Sequence, residues 1–180
     1  MGKIGLLIVA LLMTATLHSG AQNLFIQNKG QQDSVVKFSK AIQNGRIFYK
    51  ANGLSTLLKD GVAYDSMWKH FHLYKKLQKP FNIQYQRYDV NFINALPCDI
   101  ESRYQSETKH NYFLGKDTKK WASNVGLFHQ LIYHQLYKGI DLEISESGTN
   151  IKHNFIVAPN ADANQIELEY AFTNGMSINK

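Results

Sequence analysis

Apolar and polar residues alternate with a period of two through most of this chain, and short turn signals break the alternation. Val35 to Ala41 runs this way, with Val36 and Phe38 among its apolar positions. Asn44-Gly45 follows, the pair a two-residue type I′ turn needs because both positions take positive φ. Arg46 to Lys50 reads as the return strand, Asn52-Gly53 punctuates again, and Leu54 to Leu58 extends the meander. Turns this short permit only antiparallel neighbours. Further on, Ile83 and Tyr85, then Tyr88, Val90 and Phe92, alternate with a phase change near Arg87 that predicts a bulge. Tyr112 to Leu114 and Phe128 to Tyr133 are short strand signals. The cleanest pattern sets Ile140, Leu142 and Ile144 against Asp141, Glu143 and Ser145. Ser147-Gly148 turns it into Ile151, His153, Phe155 and Val157, and Ile166, Leu168, Tyr170 and Phe172 repeat the alternation. Asn174-Gly175 then predicts one more hairpin turn, with Met176 to Asn179 as its return strand.

One segment departs from this period. Trp68, Phe71, Tyr74 and Leu77 recur every third residue over 66–78, with Asp65 or Ser66 able to cap and Pro80 ending the run. A helix there would carry its stripe into the core or over a sheet edge. The expected fold is therefore all-β, an antiparallel β-sandwich-like domain with one short helix.

The first residues change the picture of where this domain resides. Lys3, the apolar run Ile4 to Met13 and the small residues Ser19-Gly20-Ala21 have the three parts of a cleavable secretory signal. The run is too short to span a bilayer, which takes roughly 20 apolar residues. Residues 1–21 are thus expected to be a signal peptide and 22–180 one β-rich module. The formal charge of +6 falls by one with Lys3, and the remaining cations are scattered apart from Lys75, Lys76, Lys79 and Lys116, Lys119, Lys120. Such scatter reads as solvated loops rather than a nucleic-acid surface. Cys98 is the only cysteine, so burial rather than an internal disulfide must hold an exported domain together.

No nucleotide, zinc-protease or serine-hydrolase motif occurs. Three weaker constellations remain. Asp99 with Glu101, and Asp141 with Glu143, are spaced so that a strand would place each pair on one face about 6–7 Å apart, near the separation glycosidases use. The alternation around Asp141 already accounts for them as the wet face of a half-buried strand, pointing to solvent and chemically idle. His70, His72, His110, His129, His134 and His153 follow no metal-ligand spacing. Asn160-Ala161-Asp162-Ala163-Asn164 imitates a calcium loop, but Gln165 stands where its glycine should be and Ala171 where its last carboxylate should be. Asp162 is expected to cap a short helical turn instead. The residues thus predict no catalytic, cofactor-binding or metal-binding side chain.

Several short motifs occur in a fixed order: Phe25-Ile26-Gln27-Asn28-Lys29-Gly30-Gln31, Asn111-Tyr112-Phe113-Leu114-Gly115, Trp121 through Asn124-Val125, Leu136-Tyr137-Lys138-Gly139-Ile140-Asp141-Leu142, and Asn154-Phe155-Ile156-Val157-Ala158-Pro159 with Ala161-Asp162. Together they resemble an uncharacterised N-terminal domain of secreted Bacteroidota proteins. That domain precedes SBBP (seven-bladed β-propeller-type) repeats, PKD- or Ig-like modules and a type IX secretion, gliding-motility-associated C-terminal sorting domain. Gln27 stands where that family usually has Glu, and residues 60–80 depart from its pattern. The resemblance implies an exported, non-catalytic structural or adhesive module, extracellular or on the cell surface, without a cofactor. Its partners would be downstream domains of its own full-length chain, with surface polysaccharide as a candidate ligand. It also implies a C-terminally truncated fragment. Two other readings stay open: a carbohydrate-binding module using Trp68, Trp121 or Tyr104, and a glycoside hydrolase using the carboxylate pairs.

Cleavage after Ala21 is the first testable consequence. N-terminal sequencing of exported protein should begin at Gln22, and a sequence beginning at Met1 would remove the case for export.

Overall fold

The computed structural model describes residues 24–74, 82–113, 115–148 and 150–172. The signal segment, the basic cluster Lys75, Lys76 and Lys79, and the return strand expected at Met176 to Asn179 lie outside these residues. The first strands are β1 (Phe25–Gln27), β2 (Val36–Ile42), β3 (Gly45–Lys50) and β4 (Gly53–Lys59). Helix α1 (Gly61–Tyr74) follows, then β5 (Tyr85–Phe92), β6 (Ile100–Gln105), β7 (His110–Tyr112) and β8 (Ala122–Val125). Strands β9 (Leu127–Tyr137), β10 (Ile140–Ser147), β11 (Asn150–Val157) and β12 (Leu168–Phe172) complete the described chain.

Ten strands form one curled antiparallel sheet in the order β11-β10-β9-β1-β2-β3-β4-β5-β12, with β6 also paired to β9. Strands β7 and β8 form a small sheet of two. The all-β, sandwich-like expectation therefore holds. The architecture turns on β9, which has three partners. Phe128 pairs with Phe25 of β1 and with Gln105 of β6, so those two strands lie on opposite edges of β9. Leu131 pairs with Ile144 of β10 and Ser102 of β6, which puts β10 on the same edge as β1. That edge therefore forks at His129, and the two arms curl over each other.

The period-two pattern supplies the filling. Phe25, Phe38, Tyr49, Leu54, Val90 and Phe92 from one arm meet Leu131, Tyr133, Leu136, Tyr137, Ile140, Leu142 and Ile144 from the other in a single buried cluster. Tyr133 and Tyr137 also tie the layers through their hydroxyls, donating to the carbonyls of Lys50 at 3.0 Å and Glu167 at 2.9 Å. A second cluster of Leu24, Ile26, Ala122, Val125 and Leu127 lies between the start of the sheet and the β7–β8 pair.

The hairpins fall where the asparagine–glycine pairs predict, one residue out of phase. Ile42 pairs with Gly45, so the loop is Gln43-Asn44, with Asn44 at φ 57°. Gly45 is already in the strand, where a Cβ would stand 2.3 Å from the Leu57 carbonyl oxygen. Close strand approach, rather than turn conformation, requires that glycine.

Three expectations change. The bulge near Arg87 is absent, since β4 and β5 pair without a shift from Gly53 to Lys59. Register breaks lie elsewhere, between β2 and β3, between β7 and β8, and between β9 and β10. The helix begins at Gly61, five residues before its expected start, because Asp60 directly after β4 caps it by accepting from the Ala63 amide at 3.0 Å. Of its stripe, Trp68, Phe71 and Tyr74 do not enter the core, for no residue of the described helix is buried, and Leu77 and Pro80 lie outside the described residues. Tyr64, Trp68 and Phe71 pack edge to face on one another, with ring centroids 6.1 and 5.7 Å apart.

Phe25 tests the junction of the two arms. It is fully buried, edge-on to Tyr49 at 5.4 Å and beneath the Lys40 ammonium at 4.7 Å. Phe25→Ala should destabilise the fold by about 3–5 kcal/mol, read as a lowered urea midpoint. A loss under about 1 kcal/mol, the scale of a surface change, would mean the arms do not depend on this contact.

Candidate functional site

The densest set of ionisable side chains stands on the outward face of β6, β9 and β10. Between Tyr137 and Tyr133 the β9 chain carries three residues opposite Asp141 alone, a bulge larger than the usual two-to-one kind. Within it Gln135 adopts φ 50°. The bulge turns His134 and Gln135 outward while Leu136 stays buried. Asp141 stabilises this path, its carboxylate accepting from the Gln135 amide at 2.7 Å.

His134 lies between two carboxylates. Its Nε2 contacts Glu101 of β6 in a short hydrogen bond, and its Nδ1 lies 3.3 Å from Asp141 of β10. Arg103 grips Glu101 in bidentate fashion, with Nε at 2.7 Å and Nη2 at 3.0 Å. Hydrogen bonds from Arg103, and then from His134, hold the Glu101 carboxyl down at about 2. Glu101 in turn raises His134 above its usual value, with Asp141 adding to it.

This geometry joins one member of each sequence-predicted carboxylate pair, Glu101 and Asp141, but with imidazole in the space between them. A glycosidase leaves that space for the scissile bond and a water. The side chains are also open to solvent, 46% for His134 and 41% for Glu101, whereas an acid catalyst needs a shielded carboxyl with a raised pKa. Glu143 shares the outward face. Asp99 precedes β6 and lines a separate cleft of about 300 Å³ with Asn28, Lys37 and Cys98. Asp141 thus points outward as the alternation predicts, but it is not idle.

The other candidates resolve into structural roles. Asp162 caps the turn Ala163–Gln165 by accepting from the Asn164 amide at 2.9 Å, as expected. Cys98 is half-buried, with Sγ 3.8 Å from the Ala51 carbonyl. Burial, and then the neighbouring Asp99, pushes its thiol up, away from nucleophilic use. Among the described residues no three His, Cys, Asp or Glu side chains are grouped to hold a metal. Lys116 and Lys119 are exposed.

Residues prominent in the short motifs serve the backbone. Asn28 donates to the carbonyls of Asp33 and Val36, both at 2.8 Å, and accepts from the amides of Gly30 and Gln32 at 3.0 and 3.1 Å. Lys29 reaches the Asn124 carbonyl at 3.0 Å, and the Asn124 amide donates to the Asn111 side chain at 2.9 Å. Three stretches far apart in sequence thus make one node joining the loop after β1 to the small sheet. Each is polar and short, so periodicity could not reveal the node.

Aromatic exposure is divided among sites. Trp121 stands 5.6 Å edge-on from Phe113 beside the small sheet, while Trp68 is on α1 and Tyr104 on β6. All three of the aromatics named from sequence are exposed, Tyr104 the most at 68%.

The two acidic residues of β10 should now separate. Asp141→Ala removes a charged acceptor from the bulge amide and should cost about 1 kcal/mol or more, whereas Glu143→Ala should stay within about 0.5 kcal/mol. Urea unfolding of both variants checks this. Equal, negligible losses would mean the bulge does not need the Asp141 carboxylate.

No helix among the described residues is long and apolar enough to cross a membrane. Neither the curated proteins nor the solved structures offer a match. Residues 25–180 match the family described as Domain of unknown function (DUF7948), and this chain belongs to that family.

Proposed function

We propose that this is a non-catalytic structural or adhesive module of an exported, cell-surface multidomain protein. The observation that carries the reading is how its polar motif residues are used. Asn28, Asn111, Asp141 and Asp162 each satisfy a backbone amide. A catalytic side chain must instead keep a lone pair or proton free for a reacting group. The signal-like segment Lys3 to Ala21 supports export. The motif order supports a place ahead of SBBP-type repeats and PKD- or Ig-like modules, in a protein sent out by a type IX, gliding-motility-associated route. Downstream domains of the same chain are the partners this reading names.

A second reading, a carbohydrate-binding module, rests on the exposed Phe113–Trp121 pair. Aromatic faces stack on sugar rings, yet this pair meets at 77° and gives no flat platform. The hydrolase reading has only the carboxylates, which His134 bridges.

Incubating the protein with chromogenic glycosides and soluble polysaccharides separates the three. The expected result is no turnover and no retardation in polysaccharide affinity gels. Turnover abolished by Glu101→Gln or Asp141→Asn would establish a hydrolase in its place. Retardation abolished by Trp121→Ala would establish the carbohydrate-binding reading.

A further inference from the structure

We infer that His134 is a doubly protonated clamp at neutral pH, holding edge strand β6 against the β9 bulge and β10, and that the clamp opens when the imidazole loses its proton. The argument is one of donors and acceptors. Ionised carboxylates only accept, and a neutral imidazole has one N–H. Here Nε2 faces Glu101 and Nδ1 faces Asp141, so both bonds exist together only in the imidazolium form. These contacts join three strands through one side chain.

The surrounding charges favour that form. Strand β6 presents Glu101 and Arg103, and β10 presents Asp141 and Glu143 to the same face, with Glu101 and Glu143 flanking Ile132 across the strands. Strand β11 places the uncharged Asn154 and Ile156 next along, opposite Glu143 and Asp141. Arg103 is the cation among these neighbours, and its guanidinium is turned to Glu101. The three carboxylates therefore outnumber it around the ring.

The sign follows. The folded-state pKa of His134 is raised by Glu101 and Asp141, so the clamp's contribution is complete below the unfolded value near 6.5. It is lost as pH rises through the folded value. On the acid side, Glu101 stays ionised until pH falls towards about 2. Between those limits both bonds form together, and above the upper one the single N–H left on the neutral ring serves Glu101 or Asp141 but not both, so β6 and β10 are no longer bridged.

Two measurements on the folded protein test this. Long-range nitrogen–proton NMR should show both His134 ring nitrogens protonated at pH 7, with a titration midpoint above the ordinary value that Glu101→Gln moves down. Hydrogen exchange, corrected for its intrinsic pH dependence, should show β6 amide protection falling roughly two- to fivefold across that midpoint, the scale of an exposed ion pair. His134→Ala should abolish the step while leaving β10–β11 protection unchanged. A single ring proton at pH 7, or β6 protection that does not change across the midpoint in the native chain, would overturn the proposal.

Discussion

The fold depends on one edge of β9 being shared. A strand has a single row of hydrogen-bonding groups on each side, and here one row serves β1 over Leu127–Phe128 and β10 from Gln130 onwards. The arms must diverge at His129, and Lys40 stands beside that fork. Its ammonium contacts Glu146 of β10, lies over the Phe25 ring of β1, and Glu146 is also within 3.5 Å of His129. Only 5% of the Lys40 side chain is exposed, and in that setting its ammonium is paired with a carboxylate and capped by a ring. Removing the Glu146 carboxylate from beside this buried ammonium is the costly way to break such a pair, because it leaves a buried charge less well compensated.

The β9 bulge answers the same constraint from the other end. A strand that serves two diverging arms must also change direction, and extra residues opposite Asp141 let it do so without losing the inward aim of Leu136 and Tyr137. The cost is a residue at positive φ and amides without ladder partners. Asp141 covers the Gln135 amide, and the Gln135 side chain in turn accepts from the Gly139 amide at 3.1 Å. The outward charged cluster is thus a by-product of bending the strand, and Glu101 and His134 are drawn into it.

Much of the fold was legible because burial on one face writes a period of two into the sequence. Strands β2 to β5 and β10 to β12 stand within two or three residues of their alternating segments. Strand β6 was missed since Glu-Ser-Arg follows Ile100 and only one of its residues reaches the core, and β1 and β8 because three or four residues are too few to show a period. The helix starts earlier than the capping candidates Asp65 and Ser66 indicate, because Asp60 caps it instead. The stripe misled for a physical reason: aromatics at helical spacing satisfy one another, as Tyr64, Trp68 and Phe71 do, without a core to enter. The His134 cluster was beyond sequence reasoning, since Glu101, His134 and Asp141 meet only once β6 and β10 flank the same bulge.

The two ends of the sheet explain why the result is a sandwich and not a barrel. Strands β11 and β12 face one another across a cavity of about 180 Å³ lined by His153, Phe155, Leu168 and Tyr170, but no ladder joins them among the described residues. Closing the sheet would need their backbones within about 5 Å, whereas side chains from both strands, Phe155 and Leu168 among them, line the space between them. Among the described residues each of these strands has a ladder partner on one side only, and Ile156, Val157 and Tyr170 are exposed at 52%, 41% and 53%. Bare edges invite strand addition. Charged and polar side chains stand along both of them: Lys152 and Asn154 on β11, and Glu169 on β12, where Asn91 holds it at 3.0 Å. An apolar strand added to either edge would have to desolvate those groups, so the edges discriminate among the chains that approach them.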